Sequence, residues 1–111
     1  MNDCVFCKIG AGEIPAKEVY RDREIVAVED LNPQAPVHLL VMPVEHFETI
    51  IDAAAREGLA GRLASVASRL GNERGANGFR LVVNTGPQGG QTVGHVHVHV
   101  LAGRHMTWPP G

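Results

Sequence analysis

Near the end of the chain three histidines alternate with valines, in the run His95-Val96-His97-Val98-His99-Val100-Leu101. Side chains on a strand alternate faces, so an extended run puts the three imidazoles on one side and Val96, Val98 and Val100 on the other. The valine side is core material, expected to pack under a helix. The histidine side carries the chemistry, because imidazole titrates near neutrality and attacks, donates or accepts protons. One metal ion does not account for all three rings. Alternate residues lie about 6.6 Å apart, which puts His95 and His99 about 13 Å apart along the strand, whereas zinc–nitrogen bonds are about 2.1 Å. At least one ring is therefore left for other work. His97, flanked on both sides, is the best-placed nucleophile toward phosphorus, provided its second nitrogen is held as a donor by a fixed acceptor. A chance solvated face does not explain such regular alternation, and an internal run interleaved with core valines is no purification tag.

The stretch before it, Thr85-Gly86-Pro87-Gln88-Gly89-Gly90-Gln91-Thr92, suits an anion. Gly86, Gly89 and Gly90 allow backbone N–H groups to approach closely, and Gln91 and Thr92 add side-chain donors. Alone it reads equally as a hairpin turn; joined to the histidine run it points to phosphate. At the other end stands Cys4-Val5-Phe6-Cys7. A lone pair in a reducing compartment is seldom a structural disulfide, so it is half of a metal site or a redox pair. A thioredoxin-like pair follows a strand in a βαβ unit, and Cys4 lies too near the start for that. With histidines elsewhere, the pair is raw material for a Cys₂His₂ zinc site; two unliganded thiols are the remaining reading.

The elements that position these groups follow from patterning. Residues 4–10 read as short helical turns, Glu18–Tyr20 and Ile25–Glu29 as short strands joined by Arg21-Asp22-Arg23, and Asn32–Pro36 as a proline-restricted loop. His38–Met42 is an apolar run of strand length. Glu45–Ala55 reads as a short helix. From Arg56 to about Arg74, Leu59, Leu63, Val66 and Leu70 form one helical stripe, weakened at its start by Gly58 and Gly61. Phe79–Asn84 and His95–Leu101 are strands, antiparallel because their connection is too short for a helical crossover. The order predicts an α+β domain, an antiparallel sheet with one main helix and short helices.

With 111 residues, 44% of them hydrophobic and 20% charged, the chain suits a single domain, 1–111, with 105–111 as a C-terminal tail. The net charge is −2 without blocks of like charge, so neither a nucleic-acid nor a membrane-surface partner is expected. No stretch approaches the ~20 apolar residues of a membrane span, and no signal sequence is recognisable; the expectation is a soluble cytoplasmic protein.

These motifs resemble the histidine-triad (HIT) family over nearly the whole chain. His95–Leu101 matches its His-x-His-x-His motif. Cys4–Ile9 with Glu13-Ile14-Pro15-Ala16 resembles the family's opening, and Asp30–His38 its ribose-side segment. Gly103-Arg104-His105-Met106-Thr107-Trp108-Pro109-Pro110-Gly111 resembles the ending of the Hint branch, rather than that of the dinucleoside-polyphosphate branch. The resemblance implies a five-stranded sheet extended across a homodimer, and hydrolysis of purine nucleoside 5′-phosphoramidates through a nucleotidyl-histidine.

By position, the catalytic residues implied are His97 as nucleophile, oriented by the backbone carbonyl of His95, with His99 as phosphate contact and His38 in support. Asn84, Gly90, Gln91 and Thr92 align with the phosphate-binding stretch and Asp30 with the ribose acceptor. Phe6, Ile9, Val28 and Leu31 look like base-pocket walls. Gly94 stands where many relatives carry a bulky residue. In the subset that keeps both cysteines, Cys4, Cys7, His46 and His95 resemble the ligands of a structural zinc. The apolar tail would pack across the dimer and shape the partner's site. Competing readings are a metal-dependent hydrolase or oxygenase, a nucleotide-binding module without turnover, and a dinucleoside polyphosphate or adenylyl sulfate activity of the same family.

Overall fold

The structure, a computed structural model, describes residues 3–111. Five antiparallel strands form one sheet: β1 (Glu18–Arg21), β2 (Ile25–Glu29), β3 (Val37–Pro43), β4 (Phe79–Val83) and β5 (Val98–Ala102), in the order β1-β2-β3-β5-β4. Three helices complete it: α1 (Val5–Gly10), α2 (Ile50–Ala55) and α3 (Leu59–Arg74). The α+β class and the antiparallel β4–β5 pair agree with the sequence reading.

Register decides what each face carries. Leu40 pairs with His99 and His38 with Leu101 across β3 and β5. The face formed by Ile25, Ala27, Leu39, Val41, Val96, Val98 and Val100 packs beneath α3, whose Leu59, Leu63, Val66 and Leu70 are all buried. The valines of the alternating run therefore lie where expected. On the opposite face Val26, Val28, Leu40 and Met42 pack against Phe6 of α1. The histidines share this second face.

Two helix boundaries differ from the sequence reading. The segment expected as helix over 45–55 turns helical only at Ile50, because Thr49 and Asp52 form a capping box there. The helix expected from Arg56 begins at Leu59, because Gly58 takes the left-handed conformation with φ 84° at its N-cap. Late in α3, Gly71 lets the helix lie on β4: an added Cβ would stand 2.5 Å from the Phe79 ring. No helix among the described residues is long and apolar enough to cross a membrane.

Candidate active site and metal centre

Regular pairing of β5 begins at Val98, three residues later than expected. The cause is Val96, whose N–H donates to the Phe47 carbonyl (2.7 Å) rather than to a neighbouring strand. Alternation of faces nevertheless persists through the run. The His97 and His99 ring centroids are 4.9 Å apart, and the Phe6 centroid lies 5.0 Å from that of His97 and 5.9 Å from that of His95, both pairs T-shaped.

Backbone partners settle the role each ring has available. A carbonyl only accepts, so a ring nitrogen facing one must carry the proton. His97 Nδ1–H donates to the His95 carbonyl at 2.8 Å. That leaves the Nε2 lone pair for chemistry, without a hydrogen-bond partner but in contact with solvent, since no buried side-chain N or O among the described residues lacks a partner. His95 Nε2–H donates to the Pro43 carbonyl at 2.8 Å, which turns its Nδ1 lone pair toward the cysteines.

His38 is locked the opposite way. The Gln34 N–H donates to His38 Nδ1 (3.0 Å), so Nε2 bears the proton and donates to His99 Nδ1 at 2.9 Å. His99 then carries its own proton on Nε2. Asp30 Oδ2 lies 3.3 Å from His38 Nε2, and Asp30 Oδ1 accepts from the Asn32 N–H.

Two groups have metal-like composition, Cys4/Cys7/His46/His95 and Asp30/His38/His99. The tautomers separate them. In the second group the proton on His38 Nε2 occupies the direction a metal would need, so it is a hydrogen-bonded relay. In the first, His95 Nδ1 lies 3.4 Å from both sulfurs and His46 Nδ1 3.1 Å from Cys7 Sγ. Zinc bonds of about 2.1 and 2.3 Å imply tetrahedral edges of roughly 3.6 Å, close to these separations. The Pro43 carbonyl supplies the outer partner that a ligating histidine normally has. The four side chains fit a structural zinc.

The glycine-rich loop is braced from within. Gln91 Oε1 accepts from the Gly86 N–H, while its Nε2 donates to the Glu48 (2.6 Å) and Val93 (3.0 Å) carbonyls. The N–H groups of Gly90 and Gln91 donate to Pro87 and Gly86 carbonyls. Gly90 has φ 84°, and a side chain at Gly89 would collide with the Thr85 carbonyl. Gln91, expected as a direct donor to an anion, thus serves as a strut. No spacing rule signals a strut that reaches back to residue 48. The Asn84 amide and the Thr92 hydroxyl have no hydrogen-bond partner among the described residues. Phe6 and Val28 are buried, Ile9 is half-buried, and Leu31 is 99% exposed.

The HIT domain family model matches residues 11–106. The chain belongs to the HIT family. Among its HIT relatives, an uncharacterized HIT-like protein of Synechococcus elongatus is 45% identical over 111 residues, covering 98% of this chain and 97% of that protein. A protein of Brassica juncea named 14 kDa zinc-binding protein is 42% identical over 113 residues, covering 98% and 100%. A crystal structure of a HIT family hydrolase from Legionella pneumophila superposes with TM-score 0.92 at 46% identity, covering 98% of this chain and 100% of that one. This HIT chain therefore shares sequence with all three over 98% of its length, and architecture with the Legionella hydrolase.

Burial pushes the His99 pKa down to about 4, helped by the neighbouring His97 and His38 and opposed by Asp30. Burial likewise lowers His38, against the pull of Asp30. An unfolded histidine binds its proton near 6.5. Between about 4 and 6.5 the unfolded chain therefore holds more protons than the folded one, and stability rises with pH. Acidification from pH 7 to 4.5 is expected to lower the melting temperature, and His99→Gln to flatten that dependence. Parallel melting curves for the variant and the parent across this range would contradict the assignment.

Proposed function

We propose that this protein hydrolyses nucleoside 5′-monophosphoramidates of the adenosine 5′-phosphoramidate type, as a member of the Hint branch. The single observation that carries the reading is the His97 ring, its Nδ1–H held by the His95 carbonyl and its Nε2 reached by solvent, in a ring 4.9 Å from that of His99. In the first step His97 Nε2 attacks phosphorus and the P–N bond breaks, its electron pair leaving on nitrogen, which takes up a proton from the water that reaches the site. In the second, water attacks phosphorus and gives up a proton to solvent, the P–Nε2 bond breaks, and the nucleoside monophosphate leaves with His97 restored. His99 Nε2–H, the Asn84 amide and Thr92 donate to the phosphoryl oxygens as charge builds on them. Gly90 and Gln91 hold the loop that presents them. Asp30 accepts from the ribose hydroxyls; Phe6, Ile9 and Val28 back the base, and Leu31 covers its solvent side.

Zinc held by Cys4, Cys7, His46 and His95 supplies a structural tie between α1 and the sheet and takes no part in the chemistry. The Brassica relative's name supports this reading. The functional unit we propose is a homodimer. β4 is an edge strand whose Phe79 and Val83 are exposed, and Trp108 is 82% exposed; pairing two such edges and covering the tail would bury this apolar surface.

The test is a substrate panel with rapid quench. Adenosine 5′-phosphoramidate is expected to turn over fastest and to leave a transient adenylyl group on His97. Faster turnover of a dinucleoside polyphosphate or of adenylyl sulfate would move the protein to another activity of the family. Nucleotide binding with no adduct and no turnover would make it a binding module.

A further inference from the structure

Helix α1 has six residues, fewer than a helix needs to persist alone in water. Yet it carries Cys7, has Cys4 as its N-cap, and presents Phe6 edge-on to His97. Something must hold it in place. Gly10 packs its backbone on Val44, where an added Cβ would stand 3.4 Å from the Val44 Cα.

The stronger tie is Arg21, on the edge strand β1. Its Nη1 donates to the Gly10 carbonyl at 2.9 Å and its Nη2 to the Ile9 carbonyl at 3.3 Å. These carbonyls belong to the last turn of α1, where a cation complements the helix dipole. The same guanidinium grips Glu18 in a two-point pair, Nε to Oε1 at 3.0 Å and Nη2 to Oε2 at 2.7 Å. That hydrogen bonding holds the Glu18 carboxyl below its ordinary range. A planar fork serves carboxylate and carbonyls together; an ammonium would not.

We propose that Arg21, aligned by Glu18, is a positioning residue that docks α1 on the sheet. It thereby sets the metal affinity of Cys4, Cys7, His46 and His95 and the placement of Phe6 against the His97 ring. The inference rests on the metal and nucleotide readings above and names what prepares both sites. Arg21 fastens the C-terminal end of α1, and the cysteines fasten the N-terminal end through the metal. Either anchor alone retains the helix; loss of both releases it.

The experiment compares the full-length chain with Arg21→Met, with Arg21→Lys and Glu18→Gln as graded controls. Zinc alone is the probe, titrated against a competing chelator. Amide exchange is read at Ala11 and Gly12, whose N–H groups bond to the Cys7 and Ile9 carbonyls, and at β5 as an internal reference. Arg21→Met is expected to bind zinc about tenfold more weakly, because part of the binding free energy must then go into docking α1. Exchange in α1 should accelerate, most of all after chelation, while β5 stays protected, and KM for the nucleotide should rise more than kcat falls. Arg21→Lys should recover part of the loss. Unchanged zinc affinity and α1 exchange would overturn the proposal, as would equal acceleration in α1 and β5, which signals general destabilisation. If the parent chain binds no zinc, the metal reading fails by itself, and the exchange and KM comparisons still decide the role of Arg21.

Discussion

His97→Ala is expected to lower phosphoramidate turnover by about four orders of magnitude or more, in line with deletion of a covalent nucleophile. No neighbouring ring is available as a substitute. His95 has its Nε2 on the Pro43 carbonyl and its Nδ1 toward the cysteines, while His99 has a protonated Nε2 and an Nδ1 that accepts from His38. The sheet should survive the change, because Val96 and Val98 on either side keep their places in the core beneath α3. The space left beside Phe6 is expected to cost on the order of 1–3 kcal/mol, readable as a shift in the denaturation midpoint. The decisive measurement pairs single-turnover kinetics with trapping of the adduct. A folded variant with near-parental turnover would remove His97 from its role.

Zinc is the subject of the second large effect. Protein purified without added metal is expected to hold one zinc per chain. Cys4→Ser with Cys7→Ser should abolish binding and lower the melting temperature by on the order of 10 °C, because metal affinity is folding energy in such a site. The loss falls on the second face, where α1 covers Val26, Val28, Leu40 and Met42. Turnover near room temperature should survive a brief chelator treatment that leaves the fold intact. Immediate loss of turnover on chelation would favour a metal-dependent hydrolase, and a stoichiometry far below one would dismiss the site.

Much of the candidate site was legible from alternation. Period-two spacing assigns Val96, Val98 and Val100 to one side and the imidazoles to the other, and the span of about 13 Å leaves at least one ring unmetallated. The same reasoning overextended β5, because a strand-like pattern does not reveal where a backbone N–H bonds elsewhere; Val96 turns to Phe47. It overextended the helix before Arg56 for a similar reason. The residues at 45–49 are compatible with helix, but the Thr49–Asp52 box fixes the start. The donor roles expected of Gly90 and Gln91 meet a loop in which their own N–H groups bond internally. The Gln34 N–H that fixes the His38 proton was invisible, since a main-chain group leaves no mark in residue types. The hydrogen bond between His38 and His99, 61 positions apart, has no signal in spacing; family likeness implies only that His38 lies near the site.

One residue links the two centres in a way that keeps them separable over evolutionary time. The group at position 95 that orients His97 is a peptide carbonyl, which every amino acid possesses, whereas the group facing the cysteines is the imidazole. A lineage that discarded the thiols and replaced the ring would still inherit the nucleophile's proton arrangement, as long as the main chain followed the same path. Ancestral or engineered descendants are thus free to trade the mineral anchor for ordinary packing without rewriting the reaction.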